Sequence, residues 1–97
     1  MNLASNSENF YTNLKEKLES SEIWPNIYLY KFIYKTKDNQ LDSLKAIFQD
    51  LRPEYRIIES VKGNYTSVSI TVIMESPNAI IEKYKEVGAK VEGVISL

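Results

Sequence analysis

The densest group of side chains able to make specific contacts is Lys62-Gly63-Asn64-Tyr65, followed at alternate positions by Ser67 and Ser69. The backbone N–H groups of a Gly-Asn turn, the Lys62 ammonium and the hydroxyls suit a contact with an anion or a peptide. The same residues also suit an ordinary hairpin beside a solvated sheet face. Catalysis has less to draw on. The sequence holds no His and no Cys, which removes imidazole bases, thiolate nucleophiles, disulfides and the usual zinc ligands together. No Walker, dinucleotide-binding or hydrolase-elbow motif is present. The chain therefore reads as non-enzymatic, with no catalytic residue, no metal site and no cofactor assigned.

Other candidates have simpler explanations. Tyr28, Tyr30, Phe32 and Tyr34 alternate along the chain, as do stacking platforms for single-stranded RNA. Twelve Lys and Arg stand against thirteen Asp and Glu, for a formal charge of −1, so there is no positive field for a phosphate backbone and nucleic acid is not expected as a partner. These aromatics are expected in the core. Arg52 and Arg56 flank Pro53 and can pair with an anion, but scattered surface arginines are the better account of them. An acyl-phosphate hydrolase would need a phosphate-cradling loop with Arg after the first strand, where this chain has Thr36-Lys37-Asp38. The carboxylates Glu16, Glu19, Glu22, Glu82 and Glu86 fall on solvated helix faces.

The elements that position these residues follow from periodicity. Phe10, Leu14 and Leu18 recur every fourth residue, predicting an amphipathic helix over about 8–20 capped by Ser7 or Asn6, after a polar tail. Trp24-Pro25 is extended chain. Tyr28, Tyr30, Phe32 and Tyr34 then oppose Leu29, Lys31, Ile33 and Lys35, a strand over 28–35. Asp38 or Asn39 is expected to cap a helix over 39–51 with Leu41, Leu44, Ile47, Phe48 and Leu51 inward and Pro53 as the stop. Strands over 54–61 and 65–74 flank the Lys62-Gly63-Asn64 turn. Ser76-Pro77 opens a helix expected to end near Gly88, and 90–97 alternates as a last strand, with Val91, Ile95 and Leu97 on one side and Lys90, Glu92 and Ser96 on the other.

Ninety-seven residues support one core and not two. The order predicts an α+β fold, a ferredoxin-like βαββαβ sandwich whose antiparallel sheet runs 4-1-3-2, with both crossover helices on one face and an extra helix in front. Residues 1–23 form the polar tail and extra helix, and 24–97 the domain proper. The other sheet face, with Lys31, Ile33, Ser67, Ser69 and Thr71, is left for the extra helix, a partner or a second copy. Spacing does not choose among these. No apolar run approaches the ~18 residues a membrane span needs, and the polar start has no signal-peptide core, so no membrane is expected and the cytoplasm is the default.

The stretch Val61-Lys62-Gly63-Asn64-Tyr65-Thr66-Ser67-Val68-Ser69-Ile70-Thr71 resembles the YbeD-like family of small bacterial proteins. Their hallmark is Ser-Ser-Lys-Gly-Asn-Tyr-x-Ser-Val-Ser-Ile-Thr, and Ser60 and Val61 stand here in its first two positions. Trp24-Pro25, Tyr30-Lys31 and Val94-Ile95-Ser96-Leu97 match the family's start and final strand. The resemblance covers about 24–97 and implies an ACT-like fold. The family has no known function and is linked to regulation only through its likeness to amino-acid-binding regulatory domains, a fold-level analogy. Lys62, Gly63, Asn64, Tyr65, Ser67 and Ser69 are the expected contact residues. The expected function is a regulatory or interaction module for a protein or small anionic metabolite. The alternative is a structural protein that self-associates through the open sheet face.

Overall fold

A computed structural model of the chain describes residues 7–97, and the tail and cap expected of Asn6 and the Ser7 side chain fall outside what is described. The elements are α1 (Ser7–Ser21), β1 (Asn26–Lys35), α2 (Leu41–Phe48), β2 (Glu54–Glu59), β3 (Tyr65–Met74), α3 (Pro77–Lys90) and β4 (Ile95–Ser96), with single 3-10 turns over Thr36–Asp38 and Gln49–Leu51. They make an α+β domain with three helices and one four-stranded sheet in the order β2-β3-β1-β4, every pair antiparallel.

Period-two patterning decides which side of each strand is buried. Tyr30, Phe32 and Tyr34 of β1 and Val68, Ile70, Val72 and Met74 of β3 turn toward the helices and join Leu44, Ile47 and Phe48 of α2 and Ile80, Ile81, Tyr84 and Val87 of α3 in one core. Each such aliphatic or aromatic side chain contributes roughly 1.5–3 kcal/mol on burial. Because the β1 aromatics face inward, they offer no stacking platform to the outside. Burying tyrosines requires partners for their hydroxyls. The Tyr28 and Tyr84 hydroxyls lie 2.8 Å apart, and the Tyr30 hydroxyl donates to the Ile80 carbonyl at 3.0 Å.

The helix ends differ in part from expectation. Ser76 does cap α3: its Oγ accepts from the Ala79 amide at 3.1 Å, with Pro77 at the first helical position. The helix then runs past Gly88 to Lys90, because the apolar stripe through Tyr84 and Val87 continues to Val91, which is buried at the helix end. The left-handed glycine that follows α3 is Gly93, at φ 73°. The strand expected over 90–97 accordingly shrinks to Ile95–Ser96, with Ser96 inward and Ile95 and Leu97 outward. At α2, Asn39 is left-handed (φ 47°) and closes the preceding 3-10 turn, its amide donating to Thr36 O. Neither Asp38 nor Asn39 caps α2. Gln40 stands at the cap without a side-chain cap bond, and its Nε2 donates to the Glu92 carbonyl instead.

Helix α1 settles on α3 rather than across the sheet. Tyr11 is buried, Phe10 meets the Tyr84 ring edge-on at 6.1 Å, and the Trp24 indole N–H donates to the Leu18 carbonyl. The second sheet face is thus uncovered by any described helix. Among the described residues no helix is long and apolar enough to cross a membrane.

Candidate functional site

The turn between β2 and β3 is closed tightly. The Ser60 amide donates to Tyr65 O at 2.8 Å, the Tyr65 amide donates to Ser60 Oγ at 3.1 Å, and the Gly63 amide donates to Ser60 O at 2.8 Å. Gly63 has φ 74°, which an L side chain adopts only with strain, while a Cβ there would meet nothing within 4 Å. The glycine is needed for its backbone and not for space. Strand β2 stops at Glu59, two residues before the expected end at Val61, because Ser60 and Val61 belong to the turn.

The end of β1 is bonded to this turn. Antiparallel pairing sets Lys35 beside Tyr65, the Thr36 amide donates to Asn64 O at 2.9 Å, and the Thr36 and Thr66 hydroxyls lie 2.8 Å apart. Thr66 is buried, so that hydroxyl pair spares it an unsatisfied group. Together the two segments wall a depression of about 520 Å³ lined by Lys35, Thr36, Lys37, Gly63, Asn64 and Tyr65.

Of the residues expected from sequence, Gly63, Asn64 and Tyr65 line this depression. Lys62 is exposed at the turn and is not part of the wall. Ser67 and Ser69 lie farther along β3 on the open face, half-buried, and Ser67 Oγ donates to the Ile58 carbonyl at a long 3.4 Å. The expected cluster is therefore spread over two surfaces. Lys35 and Lys37 were not expected in it. The signal for them is topological, since a sheet in this order sets the end of β1 beside the start of β3. Ser60, which the sequence marks only as the first position of the motif, holds the turn through its hydroxyl. The neighbouring Val61 is fully exposed, so its side chain adds nothing to the closure. Arg52 and Arg56 lie elsewhere, both exposed, with Arg52 left-handed before Pro53.

The site is positive. Among the described residues the ion pairs are those of Glu86 with Lys83 and Lys90 on α3. Among the described residues no carboxylate comes within 4.0 Å of the Lys35, Lys37 or Lys62 ammonium. No group of three or more His, Cys, Asp or Glu gathers as a metal site among the described residues.

The family model described as "Protein of unknown function (DUF493)" matches residues 19–95. The chain belongs to the DUF493 family. This agrees with the resemblance to YbeD-like proteins seen in the turn sequence. The DUF493 match opens in the last turn of α1 and takes in every residue of the depression, while α1 before residue 19 precedes it. No curated protein and no solved structure matches the chain. Since DUF493 names a family of unknown function, any role for the depression rests on its own chemistry.

Proposed function

We propose that this chain is a non-enzymatic regulatory module of ferredoxin-like, ACT-like architecture that holds a small anionic ligand between the β2–β3 turn and the end of β1. The architecture is supported by the β2-β3-β1-β4 order and by the helical connections from β1 to β2 and from β3 to β4. The observation that carries the ligand reading is that Lys35 and Lys37 line the depression together with Gly63 and Asn64, with no carboxylate in ion-pair reach among the described residues. Lys62 adds a third cation at the turn. Absence of His and Cys supports binding over turnover.

The walls are open to solvent, so each lysine offers an anion about 1 kcal/mol in water-like surroundings and up to ~4 kcal/mol where the ligand excludes water. Two or three such contacts set a dissociation constant of roughly 10 μM to 1 mM, steeply weakened by salt. Calorimetric titration of the full chain with inorganic phosphate, citrate and aspartate tests this. At least one should bind saturably, and the Lys35→Ala/Lys37→Ala double variant should bind it at least tenfold more weakly. No binding by any of the three, or binding indifferent to the double variant, overturns the proposal.

A further inference from the structure

The uncovered sheet face is organised in cross-strand rows. From one end they are Ile27 with Ile73, then Leu29 with Thr71 and Glu54, then Lys31 with Ser69 and Arg56, then Ile95 with Ile33, Ser67 and Ile58, and last, at the turn end, Lys35 with Tyr65. Leu97 extends the third row, its amide donating to Lys31 O at 2.9 Å. Apolar side chains here remain in water: Ile27 is 64% exposed, Ile73 68% and Leu97 65%, with Leu29, Ile58 and Ile95 also exposed. Glu54 and Arg56 have no ion-pair partner within 4.0 Å among the described residues. Two apolar rows thus flank two polar ones, with the Lys35–Tyr65 row beyond them at the turn end, and the polar pair carries one charge of each sign on the edge strand β2 without an ion-pair partner among the described residues.

This pattern is complementary to itself. We propose that two copies of this chain pack open face to open face about a two-fold axis running across the strands between the Glu54 row and the Arg56 row, each Glu54 meeting Arg56 of the other copy.

Such an axis sets each strand over its own copy and reverses the row order. Thr71 then faces Ser69, Leu29 lies along the aliphatic stem of Lys31, and Ile27 faces Ile33. Ile73 settles over Ser67 between Ile33 and Ile58. Each of the four rows from Ile27 to Ile33 meets one of its own kind, and the Glu54–Arg56 pair forms twice by symmetry, as an isologous interface requires. A two-fold axis along the strands does worse. It sets Arg56 over Leu97 and leaves Glu54 beyond the end of β4, which is only two residues long. Aligned sheets cross at about 30°, an offset that long side chains such as Arg and Glu span. The area is adequate too: ten-residue central strands and four-strand width give a footprint of roughly 500–650 Å². Side-chain relief brings this near the ~800 Å² per partner of a standard interface.

The proposed interface uses the four rows from Ile27 to Ile33, and the anion depression adjoins it through the Lys35–Tyr65 row at the turn end; Glu54 and Arg56 line the interface and not the depression. Sedimentation equilibrium of the full chain over a wide concentration range should show a monomer–dimer equilibrium. Glu54→Arg and Arg56→Glu should each weaken it by roughly tenfold or more, because like charges then face each other. Mixing the two variants should restore a dimer, since each supplies the charge the other lacks. That restoration also shows that both variants are folded. A wild-type chain that is monomeric up to its solubility limit overturns the proposal, as does a dimer that neither reversal weakens. A mixture that stays monomeric overturns it as well.

Discussion

The Thr36 amide donates to the Asn64 carbonyl at 2.9 Å, joining the end of β1 to a turn that begins more than twenty residues later in the chain. That bond turns an ordinary hairpin into one wall of a depression whose other wall carries Lys35 and Lys37. Anything that loosens the turn should act on the site as well as on stability.

Gly63→Ala is the direct case. At φ 74° the new Cβ meets no neighbour but strains the backbone, a cost of about 1–2 kcal/mol. Urea unfolding should show a loss of that size. Gly63→Asn should lose less, because Asn tolerates left-handed φ better. Equal losses for the two would mean that the conformation is not what the glycine supplies.

Tyr55 should behave in the opposite sense. Its hydroxyl is buried and has no hydrogen-bond partner among the described residues, while the Lys45 ammonium lies over its ring at 5.1 Å. Removing an unsatisfied hydroxyl removes a desolvation cost and keeps the ring contact. Thermal unfolding of Tyr55→Phe should show stability unchanged or raised by up to ~1 kcal/mol. A loss above ~1 kcal/mol would mean that the hydroxyl is bonded.

Lys83 pins α3 to the end of α2. Its ammonium donates to the Ile47 carbonyl at 2.7 Å and lies 3.5 Å from Glu86, with the side chain largely buried. A hydrogen bond from a charged donor to a carbonyl near a helix C-terminus is worth about 1–3 kcal/mol. Lys83→Met, which keeps the stem, should therefore cost about 1–2 kcal/mol in urea unfolding. Lys90→Met, whose partner is the same Glu86 but whose side chain is largely exposed, should cost less than ~0.5 kcal/mol.

The buried tyrosines predict a response to alkali. Burial first, then the neighbouring tyrosines, pushes the pKa of Tyr30 and Tyr84 far above the ordinary 10.0. The folded chain thus holds these protons more tightly than the unfolded one. Their contribution to stability is complete below the ordinary tyrosine value and falls as pH rises above it. Ultraviolet titration should show Tyr30 and Tyr84 ionising only together with unfolding. Reversible ionisation of Tyr30 and Tyr84 in the folded state near pH 10.0 would contradict this burial.

Several features of the fold were open to reading from residue patterns. Alternation of Tyr30, Phe32 and Tyr34 against Lys31 and Ile33 marks both faces of β1, and Ser76-Pro77 marks the start of α3. The end of α3 was not legible, because Val91 satisfies both the helical period from Tyr84 and Val87 and the strand period toward Ile95. Only its packing decides. Placement of α1 was not legible either: Phe10, Leu14 and Leu18 demand a surface, but both α3 and the open sheet offered one. The depression was half visible. Gly63, Asn64 and Tyr65 form a local motif, whereas Lys35 and Lys37 join them only through strand register. The Glu54 and Arg56 arrangement depends on register in the same way.

The most direct test of the central claim is a backbone amide shift map of the full chain titrated in turn with inorganic phosphate, citrate and aspartate. The account predicts that at least one of them gives saturable shifts concentrated at Lys35, Thr36, Lys37, Gly63, Asn64 and Tyr65, weakened at least tenfold in the Lys35→Ala/Lys37→Ala variant. Shifts centred elsewhere, around Arg52 and Arg56 or the start of α3, or no saturable shifts with any of the three, would contradict it.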